Sequence, residues 1–206
     1  MELIQKYFPD LSVLQVRQFE TLLDILPSLN RQVNVISRKD IAHLEERHIL
    51  HSLSIALKFR FDSGARVIDV GTGGGFPGIP LAILFPGAIF TLVDSIGKKI
   101  RLVDELVGTL EVKNVSTLNQ RMEELRLKAD FVVSRAVAPF PQLHRWTQGL
   151  IEPGHGQNMP NGLISLKGGD LESELLPFKN RVELFPISDW FREPFFSTKM
   201  IVYLKK

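Results

Sequence analysis

The chain of 206 residues contains no cysteine. That absence excludes disulfides, thiolate metal sites and cysteine nucleophiles, and it fits a reducing compartment such as the cytoplasm. Long apolar runs are missing too. The most apolar stretch, Ile79 to Phe90, is interrupted by Pro80, Pro86 and Gly87 and is too short to span a bilayer. The opening MELIQKYFPDL has no basic flank followed by an apolar segment, so no signal peptide is expected. There is no basic tail and no run of five like charges. The net charge of +2 therefore favours polyanionic partners only weakly. A soluble protein is expected, whose nucleic-acid surface, if it has one, is assembled by folding from scattered Lys and Arg.

With 44% hydrophobic residues the chain can build a core. Leu11, Leu14, Phe19, Leu22, Leu23 and Leu26 recur at helical spacing, which predicts a helix from Leu11 to Leu26, opened by Pro9-Asp10 and stopped by Pro27. A second helical region is expected from Asp40 to Phe59, making residues 1–60 a helical N-terminal section. Beyond it the texture changes to short apolar runs. Arg66 to Val70, Ile89 to Val93, Phe131 to Val133 and Leu163 to Leu166 read as strands, with Val115 to Leu118 a weaker one. Helical patterns lie between them at Gly97 to Leu110, Arg121 to Leu125 and Phe140 to Leu150. This alternation predicts an α/β fold over residues 61–206, with a mostly parallel sheet covered on both faces. Arg181 to Pro186 and Lys199 to Leu204 look like a terminal hairpin, which makes one strand antiparallel at the end of the sheet. Pro153 to Gly162 is turn-forming throughout and reads as a loop.

The segment Asp69-Val-Gly-Thr-Gly-Gly-Gly-Phe-Pro-Gly78 contains a G-x-G-x-x-G match between an apolar strand and an apolar helical segment. Glycines such as Gly71 and Gly73 let the backbone approach a ligand where a Cβ would collide. Asp69 ends the strand, on the edge where open α/β sheets bind ligands. Two roles are open to it: cofactor contact, directly or through water, and bracing of the loop amides. Asp94 ends the next strand, where a carboxylate can accept both hydroxyls of a ribose; the alternative is a helix cap made with Ser95. These features suit NAD(P) and S-adenosylmethionine alike, so an NAD(P)-dependent oxidoreductase is the competing reading.

Further segments narrow the choice. Residues 69–82 continue as Asp-Val-Gly-Thr-Gly-Gly-Gly-Phe-Pro-Gly-Ile-Pro-Leu-Ala, and residues 92–99 read Leu-Val-Asp-Ser-Ile-Gly-Lys-Lys. Arg121-Met-Glu-Glu124, Ser134-Arg-Ala136, Leu166-Lys-Gly168 and Arg47-His-Ile-Leu-His-Ser-Leu53 follow the same pattern. Together they resemble the bacterial RsmG (GidB) family, from about Asn30 to the C-terminus. The resemblance implies a class I methyltransferase fold, preceded by the helical section, and S-adenosyl-L-methionine as cofactor. It implies methylation of a guanine N7 in the decoding region of 16S rRNA, with the 16S rRNA or the 30S subunit as partner. Cofactor contacts are implied at Gly71, Phe76, Asp94, Ser95, Ile96, Met122, Glu123 and Arg135. Three positions depart from the family pattern. His51 stands where an acid is common, Asn34-Val-Ile-Ser37 where Asn-Leu-Thr-Ser is common, and Leu29 in place of the usual tryptophan. A methyltransferase with a non-RNA substrate is separated from this reading by the resemblance alone.

Guanine N7 has a free lone pair and no proton to lose, so no catalytic acid or base is expected, only positioning. Arg31, Arg38, Lys39 and Arg47, with Lys98, Lys99, Arg101 and Lys167, are the candidates for RNA phosphates. Arg135 suits cofactor, RNA phosphate or a structural ion pair. Phe140, Phe195 and Phe196 are candidates for base stacking or core packing. His48 and His51 are three apart, but no third ligand completes a metal site. Neither a membrane nor a protein partner is inferred.

Overall fold

The computed structural model of the chain describes residues 1–156 and 159–206. Two helices come first, α1 (Glu2–Tyr7) and α2 (Val13–Val33). α2 opens on a capping box: the Ser12 hydroxyl accepts from Gln15 N, and the Gln15 side chain accepts from Ser12 N. It starts after the predicted Pro9-Asp10, and it runs on past Pro27 instead of stopping there. Proline removes one helical hydrogen bond, but the buried face continues through Leu26 to Asn30 and holds the helix together. The exit is pinned by Asn30, whose buried amide donates to Ile36 O and accepts from Ile36 N, both at 2.8 Å.

The region predicted as one helix from Asp40 to Phe59 changes type along its length. A 3-10 turn (Ile41–His43) leads into a π-helix (Glu45–Leu50), then α3 (His51–Leu53) and α4 (Ile55–Lys58). Within it Ile49, Leu50 and Leu53 are buried in the core. Glu45 Oε1 accepts from Leu3 N and Ile4 N, which ties α1 to this segment.

From Arg66 onward strands and helices alternate: β1 (Arg66–Val70), α5 (Gly78–Leu84), β2 (Ile89–Asp94), α6 (Gly97–Thr109), β3 (Val115–Asn119) and β4 (Phe131–Arg135), then α7 (Phe140–Thr147), β5 (Gly162–Gly168), α8 (Glu172–Leu175), β6 (Val182–Pro186) and β7 (Lys199–Lys205). The stretch predicted as helical from Arg121 to Leu125 is a single 3-10 turn, Met122–Glu124, and α7 ends short of the expected Leu150. The sheet order is β3-β2-β1-β4-β5-β7-β6. β7 is antiparallel to both its neighbours. The antiparallel strand therefore sits one place in from the edge, with β6 outside it. Of the loop expected from Pro153 to Gly162, residues 157 and 158 lie outside the described residues. Gly162 itself opens β5.

The strands send alternate residues to opposite faces. Val67, Phe131, Val133, Ile164 and Tyr203 join a core with Phe19, Leu22 and Leu26 of α2. Ile68, Val132, Leu163 and Val202 pack with Phe140 of α7 and Phe178. Both faces are thus covered, as parallel strands require. The N-terminal helices share one core with the sheet, and Gln18 Nε2 bonds Leu110 O at 2.9 Å across it. Among the described residues no helix is long and apolar enough to cross a membrane.

Phe19 of α2 is fully buried in the core that α2 shares with the sheet. Phe19→Ala should cost about 3–5 kcal/mol of stability, measured as a lower urea midpoint with an unchanged slope.

Candidate functional site

The C-terminal ends of β1, β2, β4 and β5 converge on one edge, and two cavities open there. The smaller, of about 410 Å³, is lined by Gly71, Asp94, Ser95, Ile96, Lys99, Met122, Glu123, Ala136, Val137 and Trp146, among others. The larger, of about 610 Å³, includes Val35, Asp40, Arg47, His48, His51, Gly71, Phe76, Lys99, Arg135, Ala136, Lys167, Phe195 and Lys199 in its walls. Gly71, Lys99 and Ala136 line both cavities.

The glycine loop is folded over Asp69. This carboxylate is fully buried, and its Oδ2 accepts from Thr72 Oγ1 at 2.6 Å and from Gly78 N at 2.9 Å. Bracing, the second of the two roles open to Asp69, is the one visible here. Its Oδ1 has no hydrogen-bond partner among the described residues. Burial pushes the Asp69 carboxyl up to about 7. Gly71 and Gly73 adopt φ of +66° and +60°, where an L-residue is strained. A Cβ on Gly71 would also stand 2.7 Å from Val137 Cγ2.

The start of α5 discriminates between nucleotide classes. A dinucleotide loop offers free helix N-terminal N–H groups to a pyrophosphate. Here Gly78 N donates to Asp69, Ile79 N donates to Gly75 O, and Pro80 has no N–H. No donor is left in that first turn for a phosphate.

Asp94, almost fully buried, closes the far side of the loop. Its Oδ2 accepts from Gly73 N at 3.1 Å and its Oδ1 from Ile96 N at 2.9 Å. Lys99 Nζ stands 3.6 Å from Oδ2. Ile96 is the N-cap residue of α6, and Ser95 adds no side-chain cap. Ser95 and Ile96 are exposed at the rim, whereas Met122 is half-buried against the second core and Glu123 is exposed.

Arg135 faces the larger cavity, stacked over Phe76 with its guanidinium carbon 4.9 Å from the ring centroid. Its Nη1 donates to Arg47 O at 3.3 Å, and its Nη2 lies 2.9 Å from His48 Nδ1. Arginine can only donate, so His48 Nδ1 accepts and its proton is on Nε2. This is a cation–π and hydrogen-bond arrangement, not the ion pair that was one reading of the sequence. Burial pushes Arg135 down to about 10, so it is still a cation at neutral pH. Burial, with the Arg135 charge second, drives His48 down to about 3.

Of the basic residues singled out in the sequence, Arg47, Lys99 and Lys167 line the larger cavity. Arg47 Nη1 pairs with Asp40 Oδ1 at 2.9 Å. Lys167 Nζ is held at 2.6 Å by both Glu174 Oε1 and Ala138 O, while Phe140 N donates to the same Glu174 oxygen. Arg31, Arg38 and Lys98 are exposed outside both cavities, as are Lys39 and Arg101. Phe140 and Phe196 are fully buried core residues, and only Phe195 lines the cavity. Lys199 was missed as a site residue, although antiparallel pairing of Gly168 with Lys199 brings it to the ligand edge. Trp146 and Glu174 carried no signal in the sequence. No group of three or more His, Cys, Asp or Glu able to hold a metal is found among the described residues.

His48 is held neutral in the fold, whereas unfolding lets it protonate below its ordinary value near 6.5. Its contribution is complete above that pH and is lost as the pH falls towards 3, and buried His51 acts in the same direction. His48→Gln should flatten the decline in unfolding free energy between pH 7 and pH 5 by about 1–2 kcal/mol, read from urea titrations at each pH.

Comparison with known proteins fits this geometry. Residues 15–187 match the family described as GidB, rRNA small subunit methyltransferase G. A Bacteroides thetaiotaomicron protein named ribosomal RNA small subunit methyltransferase G is 52% identical over 203 residues, covering 98% of each chain. One of the same name from Christiangramia forsetii is 50% identical over 204 residues, covering 99% of this chain and 96% of its own. Among solved structures, a SAM-dependent methyltransferase from Aquifex aeolicus superposes with a TM-score of 0.58 at 18% identity, over 82% of this chain and 98% of that one. At that identity the superposition speaks for the fold, a class I methyltransferase sheet. The chain belongs to the rRNA small subunit methyltransferase G (GidB) family.

Proposed function

We propose that this protein transfers the methyl group of S-adenosylmethionine to N7 of a guanine in 16S rRNA. The observation that carries the reading is the pair of cavities meeting at Gly71, Lys99 and Ala136. One has the carboxylate and apolar walls suited to a nucleoside; the other is larger, open and lined with cations.

The residues present fit the cofactor. Asp94 is the ribose acceptor at the end of β2, and Gly71 admits close backbone approach. Ser95, Ile96, Met122 and Glu123 surround the base, while Gly73 and Phe76 shape the loop. Asp69 acts from behind by fixing the loop. The spent first-turn donors of α5 argue against NAD(P), which needs them for its pyrophosphate. S-adenosylmethionine supplies an electrophilic methyl group on a sulfonium, and guanine N7 supplies a lone pair without losing a proton.

The protein's own contribution is to hold the two in line and to exclude water. Arg135, fixed by Phe76, Arg47 O and His48, is a rigid cation in the wall of the larger cavity. Arg47, Lys99, Lys167 and Lys199 line the cavity that would take the nucleotide and its phosphates. Arg31, Arg38 and Lys98 lie outside it, where they suit more distant RNA phosphates. No side chain is needed as acid or base.

The decisive experiment is transfer of labelled methyl from S-adenosylmethionine to free 16S rRNA, 30S subunits and bulk protein, followed by nucleoside analysis. N7-methylguanosine is the expected product, and label confined to protein would overturn the reading. In a second measurement, Gly71→Ala should weaken S-adenosylhomocysteine binding by about ten-fold or more, because a non-glycine residue at positive φ costs about 1–2 kcal/mol. NAD should not bind the parent protein.

A further inference from the structure

Trp146 is a large aromatic side chain that neither core explains. α7 buries Phe140 and Leu143 in the second core, and Thr147 is buried with them. Trp146, one residue before Thr147, is only half-buried and packs against neither core. The other tryptophan of the chain, Trp190, does pack against the core on the α2 side. Among the described residues the ring of Trp146 meets no other aromatic ring and no cation. Tryptophan is ordinarily well covered, so a ring left over by the fold at the wall of a cavity is open to a partner from outside the chain.

The cavity is the smaller one, and from α7 it is Trp146 that lines it. α7 packs against the 3-10 turn Met122–Glu124, so Trp146 enters on the side of Met122 and Glu123. Ile96 comes from the other face of the sheet. It caps α6, whose Leu102, Val103 and Leu106 join the core on the α2 side. Ile96 is also 42% exposed, so an aliphatic and an aromatic residue, brought by helices on opposite faces, both leave apolar surface uncovered in one cavity.

Of the parts of S-adenosylmethionine, the ribose is a polyol, the amino-acid end is zwitterionic and the sulfonium is a cation. The adenine alone is a flat ring with apolar faces. With the ribose held by Asp94, the base leaves it where Ile96, two residues further on, and Met122 line the cavity. We propose that the adenine ring of the cofactor packs on the indole of Trp146, with Ile96 as the facing wall, and that Trp146 thereby sets the affinity for the adenosyl group. Aromatic rings attract one another in offset-stacked or edge-on arrangements beyond the area they bury. A sulfonium would be drawn to the indole face by its charge instead, but it hangs from the opposite end of the ribose.

This inference rests on the S-adenosylmethionine reading above, and the test separates the two. Parent, Trp146→Phe and Trp146→Ala proteins are titrated with S-adenosylhomocysteine and S-adenosylmethionine by calorimetry. Tryptophan fluorescence, melting temperature and initial rates are measured alongside. The fluorescence of the parent should change as S-adenosylhomocysteine saturates it. Trp146→Phe, with Trp190 as its remaining fluorophore, should still bind but lose that change. Trp146→Ala should weaken both ligands by the same factor, about 10- to 100-fold, and raise KM for S-adenosylmethionine with kcat nearly unchanged, the mark of a contact made equally before and during transfer. An unchanged parent signal at calorimetric saturation, a signal of parental size in Trp146→Phe, or parental affinity in Trp146→Ala overturns the assignment. A loss confined to S-adenosylmethionine would put the indole against the sulfonium and overturn it too. If Trp146→Ala does not fold, the parent and Trp146→Phe titrations decide. If the parent binds neither ligand, the cofactor reading fails first and this one with it.

Discussion

A single carboxylate sets the shape of the site. Asp69 is sealed beneath the glycine loop and receives Thr72 from the start of that loop and Gly78 from its end. The loop is thereby folded back on the strand that produced it, and α5 is attached to the sheet at its first residue. Burial works against the charged form of such a group, and its two hydrogen bonds offset only part of that, leaving the carboxyl pushed up to about 7. With its first-turn donors consumed, the helix has none left to cradle a phosphate. The same interaction therefore shapes the loop and leaves its helix no phosphate site.

A second constraint comes from the segment between the 3-10 turn at Ile41 and Lys58. Its π-turn widens the helix just where Arg47, His48 and His51 face the cleft, while Ile49, Leu50 and Leu53 fill the core. π-turns are rare and concentrate at functional positions. Here Arg135 from β4 meets the segment at two points, the Arg47 carbonyl and the His48 ring. Two elements far apart in sequence are joined into one rigid wall.

The fold was legible because burial leaves a periodic trace. The runs around Val67, Phe90, Val132 and Ile164 announced strands covered on both sides, and Lys199 to Leu204 announced the last one. Boundaries were less legible where tertiary packing overrode local preference. Pro27 reads as a stop, yet the buried Leu26 and Asn30 carry α2 past it. The glycine loop and the strand-end acids beside the smaller cavity could be read from the chain, since such residues are dictated by steric need at fixed positions. The opposite side could not. Lys199 reaches it only through the reversed direction of β7, and Glu174 only through the turn that follows β5.

β7 has a consequence beyond closing the sheet. Because it enters between β5 and β6 in the reverse direction, its first residue, not its last, arrives at the ligand edge. The walls of the smaller cavity are encoded no later than Trp146, whereas the larger one waits for Lys199. A chain made N-terminus first therefore issues the described lining of the smaller cavity well before the last lining residue of the larger one.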